Sequence, residues 1–177
     1  MLRLVKPSKK YLPAFLKVID DYRADENHFG RGNIDSLIQA IDTGTTDKWF
    51  QKLSNKDLPP GYVPSTMFWL LDDDEWVGVF AVRHSLTENL EKIGGHMGVN
   101  IAPKHRGGYA GFAGMKLCLV QARKLGLDRV LMTCNANNSA SYRAIMGLVK
   151  LYGGEQFSDS NIDGQVQHRI WVNTPNR

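Results

Sequence analysis

The sequence predicts a single α/β domain built on a mixed sheet. The order of its predicted elements is strand, helices, three strands, helix, strand, helix and two strands. A length of 177 residues suits one domain with a sizeable core, and 42% hydrophobic against 23% charged residues is the balance of a folded chain. No repeat, low-complexity tract or linker divides the sequence, so we treat residues 1–177 as one domain.

The first third of the chain is predicted to be mostly helical. Leu2–Lys6 has the alternation of a short strand, and Tyr11–Tyr22 has the apolar spacing of one amphipathic helix. Gly30–Asn33 breaks that helix, and Ile34–Leu53 is expected to form one or two more. Asn55–Gly61 is rich in proline and glycine, which is typical of a loop.

The middle of the chain changes to strands. Met67–Leu71 and Trp76–His84 are separated by a short acidic turn and predict a hairpin. Gly95–Ala102 is expected to be the next strand. Ala110–Leu125 is apolar nearly all round and predicts a largely buried helix, which Gly126 ends.

The last third predicts one buried strand, one helix and a final pair of strands. Val130–Cys134 is a short apolar run of the kind found in parallel sheets. Ser139–Leu151 has the apolar spacing of a helix. The final strands are expected near Glu155–Phe157 and Val166–Val172.

Composition argues against several classes of protein. No apolar run approaches the length that crosses a bilayer, and the first residues lack the apolar core of a signal peptide. Two cysteines, Cys118 and Cys134, do not make a disulfide framework, so we expect reduced thiols in the cytoplasm. A net charge of +4 without a basic run gives little support to nucleic-acid binding. The acidic turn Asp72–Glu75 lacks the glycine and distant glutamate of a calcium loop, and no metal site is expected.

The segment Val99–Ala110 carries the chemical information, because it combines a strand, a glycine-bearing loop and the start of a long helix. Gly107 and Gly108 allow the backbone to turn sharply and approach a ligand closely. The first turn of a helix has unpaired N–H groups and positive dipole character, which suits a pyrophosphate. The alternative is an ordinary strand-to-helix turn, since paired glycines are common. Basic residues between Lys104 and Arg129 are mostly a solvated helix face, although some could serve a polyphosphorylated ligand.

This segment resembles the acyl-CoA loop of the GNAT superfamily of N-acetyltransferases. The pattern of that loop is Arg or Gln, two residues, Gly, one residue, then Gly or Ala, and here His105, Gly108 and Ala110 occupy its marked positions. The order of elements is also similar over nearly the whole chain. The resemblance implies a mixed, mostly antiparallel sheet with a central splay and helices on both faces. It also implies acetyl-CoA as the acyl donor.

A narrower resemblance is to a bacterial branch of predicted acetyltransferases, with three departures from its pattern. The loop after Pro103 is one residue shorter than usual, and the usual arginine could instead be Arg106. Asn135 stands where an aspartate is common. The stretch Ile145–Gly154 is about one helical turn longer than expected. The residues that carry this resemblance are Val63–Leu70, Arg83–His84, Gly94–Gly98, Thr133–Asn135, Asn138 and Ser141.

The resemblance also implies where acetyl-CoA would bind. The strand before the loop would splay from Val130–Cys134, so that its free backbone groups pair with the pantetheine arm. One such N–H could polarise the thioester carbonyl as an oxyanion donor does. The residues expected to bind the cofactor are Val99, Ile101, His105, Arg106, Gly107, Gly108, Tyr109, Ala110, Asn138 and Ser141.

Two residues are candidates for acid–base chemistry. The tyrosine that commonly acts as acid falls here on Ile145, which leaves Tyr142, one turn earlier, as the nearest replacement or as a simple packing residue. His96 is the candidate base, because it precedes the loop on the same strand face as Asn100 and its ordinary pKa is near neutral. The alternative for His96 is a packed, hydrogen-bonded histidine. His84, at the end of the preceding strand, could lie alongside it.

The expected reaction is direct attack of a primary amine on acetyl-CoA. Glu26, His84 and Asn100 are the candidates for binding the amine, and Cys134 is expected to be a buried packing residue. A small-molecule amine is the first expectation. The alternatives are a protein or peptide amine, or a non-catalytic acyl-CoA sensor, which the absence of tyrosine at Ile145 favours. Acetyl-CoA and an amine are the expected partners, without membrane or nucleic acid, and a homodimer is left open.

Overall fold

The structure is a computed structural model that describes residues 1–27, 30–53, 58 and 60–176. Part of the predicted loop Asn55–Gly61 lies outside the described residues. The strands are β1 (Leu2–Val5), β2 (Ser65–Asp72), β3 (Glu75–Arg83), β4 (Met97–Ile101), β5 (Arg129–Asn135), β6 (Gly154–Gln156), β7 (Ser160–Ile162) and β8 (Gln165–Asn173). The helices are α1 (Leu12–Leu16), α2 (Ile19–Ala24), α3 (Gly32–Asp42), α4 (Thr46–Lys52), α5 (Glu88–Lys92), α6 (Ala110–Lys124) and α7 (Ser139–Tyr152).

The first sheet has the order β1-β2-β3-β4, and each neighbouring pair is antiparallel. The predicted hairpin is β2 and β3, in which Phe68 lies opposite Phe80. The polar turn between the strands places Asp73 in the left-handed region, with φ of 49°. Local alternation and turn chemistry therefore predicted this hairpin correctly.

The second sheet has the order β5-β8-β6, and β7 also pairs with β8, again antiparallel throughout. Cys134 of β5 lies opposite His168 of β8. The predicted final strands are confirmed as β6 and β8. Two short elements were not predicted: β7 has three residues, and α5 has five with Thr87 as its N-cap.

The two sheets meet where the residues just before β4 contact β5, and the predicted splay opens from there; the Gly94 N–H donates to Thr133 Oγ1 at 2.8 Å. In the described chain β4 forms a ladder with β3 alone and β5 with β8 alone. His96 makes two further bonds there: its N–H donates to the Leu131 carbonyl at 2.7 Å, and its Nδ1 accepts from the Leu131 N–H at 2.9 Å. Gly95 has φ of 56°, and a Cβ there would lie 2.3 Å from the Leu131 carbonyl oxygen. Only glycine fits at this vertex.

Helices cover both faces of the first sheet. Successive strand residues point to opposite faces, so Phe80 belongs to the buried cluster that includes Leu119 of α6, while Val79 belongs to the cluster that includes Tyr22 of α2. The face of α6 continues onto the second sheet, where α7 joins it and Cys134 is among the buried residues. The predicted arrangement of helices is confirmed.

The predicted helix Tyr11–Tyr22 is not continuous. The structure has a 3₁₀ turn at Lys9–Tyr11, then α1 and α2, and the Val18 N–H bonds to the Phe15 carbonyl at the break. Phe15, Val18 and Tyr22 are all fully buried. The apolar spacing thus predicted the buried face correctly and the unbroken backbone wrongly. None of the described helices is long and apolar enough to cross a bilayer.

Candidate functional site

The free edge of β4 borders the opening between the sheets. At the two ends of the β3–β4 ladder, Arg83 N–H donates to the His96 carbonyl and Ala102 N–H donates to the Val77 carbonyl. Backbone groups alternate in an antiparallel pair, so the even-numbered residues of β4 bond to β3. The backbone groups of Val99 and Ile101 therefore point away from β3.

The facing edge of β5 follows the same alternation. Ala136 N–H donates to the Val166 carbonyl and Thr174 N–H donates to the Asp128 carbonyl, which fixes the residues of β5 that bond to β8. The backbone groups of Leu131 and Thr133 point to the other side. His96 binds both groups of Leu131, so the opening begins beyond the His96–Leu131 contact.

The loop before α6 exposes backbone N–H groups at the same end of the opening. Pro103–His105 forms one 3₁₀ turn, and Gly107 follows in the left-handed region with φ of 77°. The first turn of α6 has no acidic residue and no side-chain cap. The N–H groups around Gly108 and Ala110 are thus suited to an anion. Among the described residues, a Cβ on Gly108 would have the His105 carbonyl oxygen, 3.8 Å away, as its one neighbour within 4 Å, so they leave room for a ligand to approach here.

Arg106 is bound within the protein and does not present its guanidinium to a phosphate. Its Nε donates to the Ile101 carbonyl at 3.0 Å, and its two terminal nitrogens donate to the Asp25 carboxylate at 3.1 and 2.7 Å. These bonds from Arg106 hold the pKa of Asp25 below its usual value. The geometry does not favour the expected contact between the Arg106 side chain and a phosphate, because the Asp25 carboxylate already accepts from its terminal nitrogens.

A polar network continues from Asp25 to β4. The Arg31 side chain is only 3% exposed, and it donates to the Asp25 carbonyl at 3.0 Å. It lies 5.3 Å from the centre of the Tyr22 ring, a cation–π distance. The Tyr22 hydroxyl donates to Asn100 Oδ1 at 2.9 Å, and burial raises the pKa of Tyr22. Asn100 therefore holds the N-terminal helices against the sheet. The exposed Glu26 directly follows Asp25.

His105 and Tyr109 flank the loop without facing each other. The His105 Nε2 lies 3.5 Å from Glu75 Oε1 and the Lys104 Nζ lies 2.5 Å from the same oxygen, so these side chains turn toward the β2–β3 hairpin. Tyr109 is 64% exposed, and its ring centre lies 5.8 Å from that of Phe112. A contribution of His105 to a phosphate site would come from its backbone.

His96 lies at the vertex of the splay, and its hydrogen bonds count against the role of base. Burial, with the nearby Arg83, lowers the pKa of His96 to about 4. Because Nδ1 accepts from Leu131, the neutral ring carries its proton on Nε2 and has no lone pair free to take another. The His84 ring, which the sequence suggested could lie alongside His96, bonds to Thr66 on β2 at 2.9 Å, on the other side of β3 from β4.

Tyr142 is not brought to the opening. Its hydroxyl donates to Gln156 on β6 at 3.1 Å, and its ring centre lies 4.8 Å from that of His168 on β8. Both strands lie on the far side of β5 from β4. The Tyr142 hydroxyl is therefore distant from the edge of β4 at Val99, where the thioester of acetyl-CoA is expected. Ile145 is a core residue with 2% exposure.

The start of α7 is organised by Asn138 and Ser141. Asn138 Oδ1 accepts from the Ser141 N–H at 3.0 Å, so Asn138 is the N-cap of the helix. Burial raises the pKa of the Cys134 thiol, and a hydrogen bond from the Ser141 side chain opposes that shift. The expected contacts of Asn138 and Ser141 with the cofactor remain predictions.

Asp25 and Tyr22 are the members of the site that the sequence did not indicate. They lie 81 and 78 positions from their partners Arg106 and Asn100, and no local pattern marks such pairs.

A cavity of about 330 Å³ lies at the other end of α6, where Arg123 and Thr174 are among its lining residues. The 15 residues of α6 separate it from the loop. Among the described residues, no group of His, Cys, Asp and Glu is arranged to hold a metal ion.

Solved N-acetyltransferases share this fold over nearly the whole chain. A mutant of the spermidine N-acetyltransferase SpeG from Vibrio cholerae has a TM-score of 0.57 at 13% identity, covering 98% of this chain and 95% of its own. YncA from Salmonella typhimurium, assigned as an acetyltransferase and solved with its cofactor acetyl-CoA, has a TM-score of 0.57 at 12% identity, covering 99% and 95%. The Salmonella typhimurium acetyltransferase that modifies the N-terminal serine of ribosomal protein L7/L12 has 0.53 at 13%, covering 99% and 95%.

These likenesses define the fold of the chain, which is that of the GNAT N-acetyltransferases, and the predicted fold class is confirmed. No protein-family model matches the sequence, and no curated protein matches it significantly.

Proposed function

We propose that the chain is an N-acetyltransferase that binds acetyl-CoA in the opening between β4 and β5 and transfers its acetyl group to a primary amine. One observation carries this proposal: in the described part of the chain, the edges of β4 at Val99 and of β5 at Thr133 have no strand partner, and the glycine loop leads from the end of β4 into the first turn of α6. Backbone edges pair with the amides of an extended arm, and helix N–H groups bind phosphate. Acetyl-CoA has both parts.

The proposed binding mode uses backbone more than side chains. The pantetheine arm pairs with Val99 and with the N–H of Ile101, whose carbonyl already accepts from Arg106. The pyrophosphate lies on the N–H groups between Gly107 and Ala110. The structure of YncA with acetyl-CoA supports a cofactor of this class for the fold.

The proposed reaction is a direct transfer. The nitrogen of the neutral amine attacks the thioester carbonyl carbon, the C–N bond forms, the C–S bond breaks and the CoA thiolate leaves. A backbone N–H on the edge of β4 stabilises the developing oxyanion, and most of the rate enhancement comes from positioning. The amine proton passes to water or to the exposed Glu26, because His96 has no free lone pair. An acetyl-cysteine route is disfavoured, since burial raises the pKa of Cys134.

The acceptor is proposed to be a small-molecule amine, with a protein or peptide amine as the alternative. The similar structures include enzymes named for each kind of acceptor. The test is CoA release from acetyl-CoA with a panel of polyamines, amino-acid amides and short peptides. Turnover with at least one amine supports the proposal, and acetyl-CoA binding without turnover on any amine contradicts it.

A second candidate function is an acyl-CoA-binding sensor without catalysis. Two observations favour it: the Tyr142 hydroxyl bonds to Gln156 away from the opening, and the His96 lone pair is engaged by Leu131. The same panel separates the two functions, because a sensor would bind acetyl-CoA and release no CoA.

A cytoplasmic location remains part of the proposal, supported by the two free, buried cysteines.

A further inference from the structure

Arg83 is a partly buried arginine at the end of β3 whose charge is not balanced. Its Nη1 donates to the carbonyls of Gly94 and Gly95, at 3.1 and 2.9 Å. No carboxylate in the part of the chain that the structure describes pairs with it, and burial lowers the pKa of Arg83 with no acid to oppose the shift. Charges that leave water are usually paired, so an acidic group on a ligand is one explanation for this arginine.

One side of the Arg83 guanidinium is available to such a ligand. A guanidinium has five N–H donors and no acceptor, and the two on Nη1 make the bonds to the carbonyls. Nε and Nη2 carry the other three, and no group among the described residues accepts from them. Together Nε and Nη2 form the planar fork that binds a carboxylate through two parallel hydrogen bonds.

Gly98 leaves space beside this fork. It lies opposite Ala81 in the β3–β4 ladder. A Cβ on Gly98 would lie 3.8 Å from the Ala81 Cβ and 4.0 Å from Arg83 Nη2, and within 4 Å it would meet no other described residue. Gly98 is partly exposed, whereas His96 and Asn100, its neighbours on the same face of β4, are buried. The face therefore has an indentation with a floor of small residues and the guanidinium at its side.

This indentation adjoins the opening between the sheets. Gly98 directly precedes Val99, whose backbone groups form the edge of β4 proposed to hold the thioester. Consecutive Cα atoms are about 3.8 Å apart, so a small molecule over Gly98 has the Arg83 fork on one side and the thioester position on the other. The Arg83 N–H also donates to the His96 carbonyl at 2.8 Å, which fixes the arginine at the vertex of the splay.

We propose that Arg83 binds the carboxylate of the acceptor through Nε and Nη2, and that the acceptor is therefore a free α-amino acid. Its amine and its carboxylate are attached to one carbon, so a single small molecule reaches both the thioester and the guanidinium. A polyamine brings only further positive charge, and a peptide N-terminus has a neutral amide in place of the carboxylate. Each would leave the guanidinium unpaired, which a site built for a charged partner rejects. This inference rests on the proposed acetyl transfer and names its substrate class.

The test compares alanine with alaninamide, which has the same shape without the negative charge, in the full chain. We expect Arg83→Gln to lower the ratio of kcat/KM for alanine to kcat/KM for alaninamide by about tenfold or more, the loss of hydrogen bonds between charged groups. Comparing this ratio between proteins removes the different basicities of the two amines.

Arg169→Gln is the matched control for the loss of a positive charge. Arg169 is also partly buried and bonds to backbone carbonyls, but Nε, Nη1 and Nη2 all donate within the chain, to the Ser158 carbonyl, the Glu91 carbonyl and the Ser158 hydroxyl. Its side chain has no fork left for a ligand, so the ratio should stay at the wild-type value.

A second variant separates a carboxylate site from a purely structural role of Arg83 at the Gly94–Gly95 turn. Gly98→Val leaves Arg83 and its bonds to both carbonyls in place and fills the space beside the fork. Gly98 lies in a strand without a positive φ, where a β-branched residue is well tolerated, so this variant should fold. It should also lower the alanine to alaninamide ratio, and it decides the question if Arg83→Gln does not fold. An unchanged ratio in a folded, active variant of either kind would overturn the inference.

The dependence on catalysis is resolved by wild type alone. If wild type releases no CoA with alanine, alaninamide, spermidine or the peptides, the proposed function fails and this inference falls with it. If wild type acetylates spermidine or alaninamide but not alanine, the proposed function stands and the inference alone fails.

Discussion

Arg106 binds the carboxylate of Asp25 with both terminal nitrogens, at 3.1 and 2.7 Å, although 81 positions separate the two residues. The same guanidinium bonds to the Ile101 carbonyl. One side chain thus joins the glycine loop, the end of β4 and the segment after α2. The loop proposed to bind the cofactor and the helices proposed to cover the amine are held together by this pair.

Replacing Asp25 with asparagine should destabilise the fold. The pair is a two-bond contact to a carboxylate whose side chain is 11% exposed, so its loss should lower the free energy of unfolding by about 1–3 kcal/mol. Urea denaturation measures this. Asp20→Asn is the control, because Asp20 bonds to Arg23 with 88% exposure and such surface pairs contribute little. Equal effects of the two substitutions would contradict the structural role of Asp25.

The Asp25–Arg106 pair also predicts how the stability of the fold changes at acidic pH. Arg106 lowers the pKa of Asp25, so the contribution of the pair to stability is complete above the ordinary pKa of ~4 and is lost as the pH falls through the lower pKa of the folded state. Wild type should therefore lose stability relative to Asp25→Asn below about pH 4. Denaturation curves at a series of acidic pH values give this difference, and parallel losses in both proteins would argue against it.

The bonded state of Arg106 predicts how acetyl-CoA binding responds to salt. If backbone N–H groups hold the phosphates, the double variant Asp25→Asn/Arg106→Gln should show the same salt dependence of acetyl-CoA affinity as wild type. Removing both charges avoids leaving Asp25 unpaired. Calorimetry at low and physiological ionic strength makes the comparison. A weaker salt dependence in the double variant would return Arg106 to the phosphate site that the sequence predicts.

Gly108 offers a clean test of the anion site. Of the residues that the structure describes, only His105 places an atom within 4 Å of a Cβ there, its carbonyl oxygen. Gly108→Asp should therefore weaken acetyl-CoA binding by about tenfold or more, about 1.4 kcal/mol, through charge repulsion at the pyrophosphate. Gly108→Asn has nearly the same shape without the charge and should bind much closer to wild type. Equal affinity of all three proteins, each folded by circular dichroism, would reject the loop as the binding site.

His96 can be tested as a structural residue and as a base in one pair of variants. In His96→Asn the amide oxygen can take the place of Nδ1 and keep the Leu131 bond, whereas His96→Gln displaces that acceptor. A structural role predicts that Asn is more stable than Gln and that the rising limb of the pH–rate profile persists in both. Loss of turnover in both variants, with acetyl-CoA affinity unchanged, would instead identify His96 as the base predicted from the sequence.

The lowered pKa of His96 also sets a pH window. Between about 4 and 6.5 the unfolded chain binds a proton at His96 that the folded chain does not, so stability falls as the pH falls through this range. The loss is about 3 kcal/mol at most. The dependence should be weaker in His96→Asn, measured as urea unfolding near both ends of the window.

The parts predicted from sequence were those with local patterns. Alternation and a polar turn predicted the β2–β3 hairpin, and the glycine loop followed by an apolar helix predicted the segment around Gly108. The short elements α5 and β7 have too few residues to show a period.

Most side-chain roles depended on distant parts of the chain. His96 is bound by Leu131, 35 positions away, and Tyr142 turns to Gln156 because β6 pairs at the far edge of the second sheet. Such partners depend on tertiary packing, so spacing along the sequence could place these residues on their elements and could not show what they touch.

The division into two sheets also orders events during synthesis. All strands of the first sheet lie within residues 2–101 and all strands of the second within residues 129–173. A ribosome therefore completes β1–β4 before it adds the first residue of β5, and α6 is translated between them. When α6 emerges, its apolar face can pack against the first sheet, whereas the second sheet has yet to be synthesised. The strands of the first sheet are therefore synthesised before those of the second, and His96 is added to the chain before its partner Leu131.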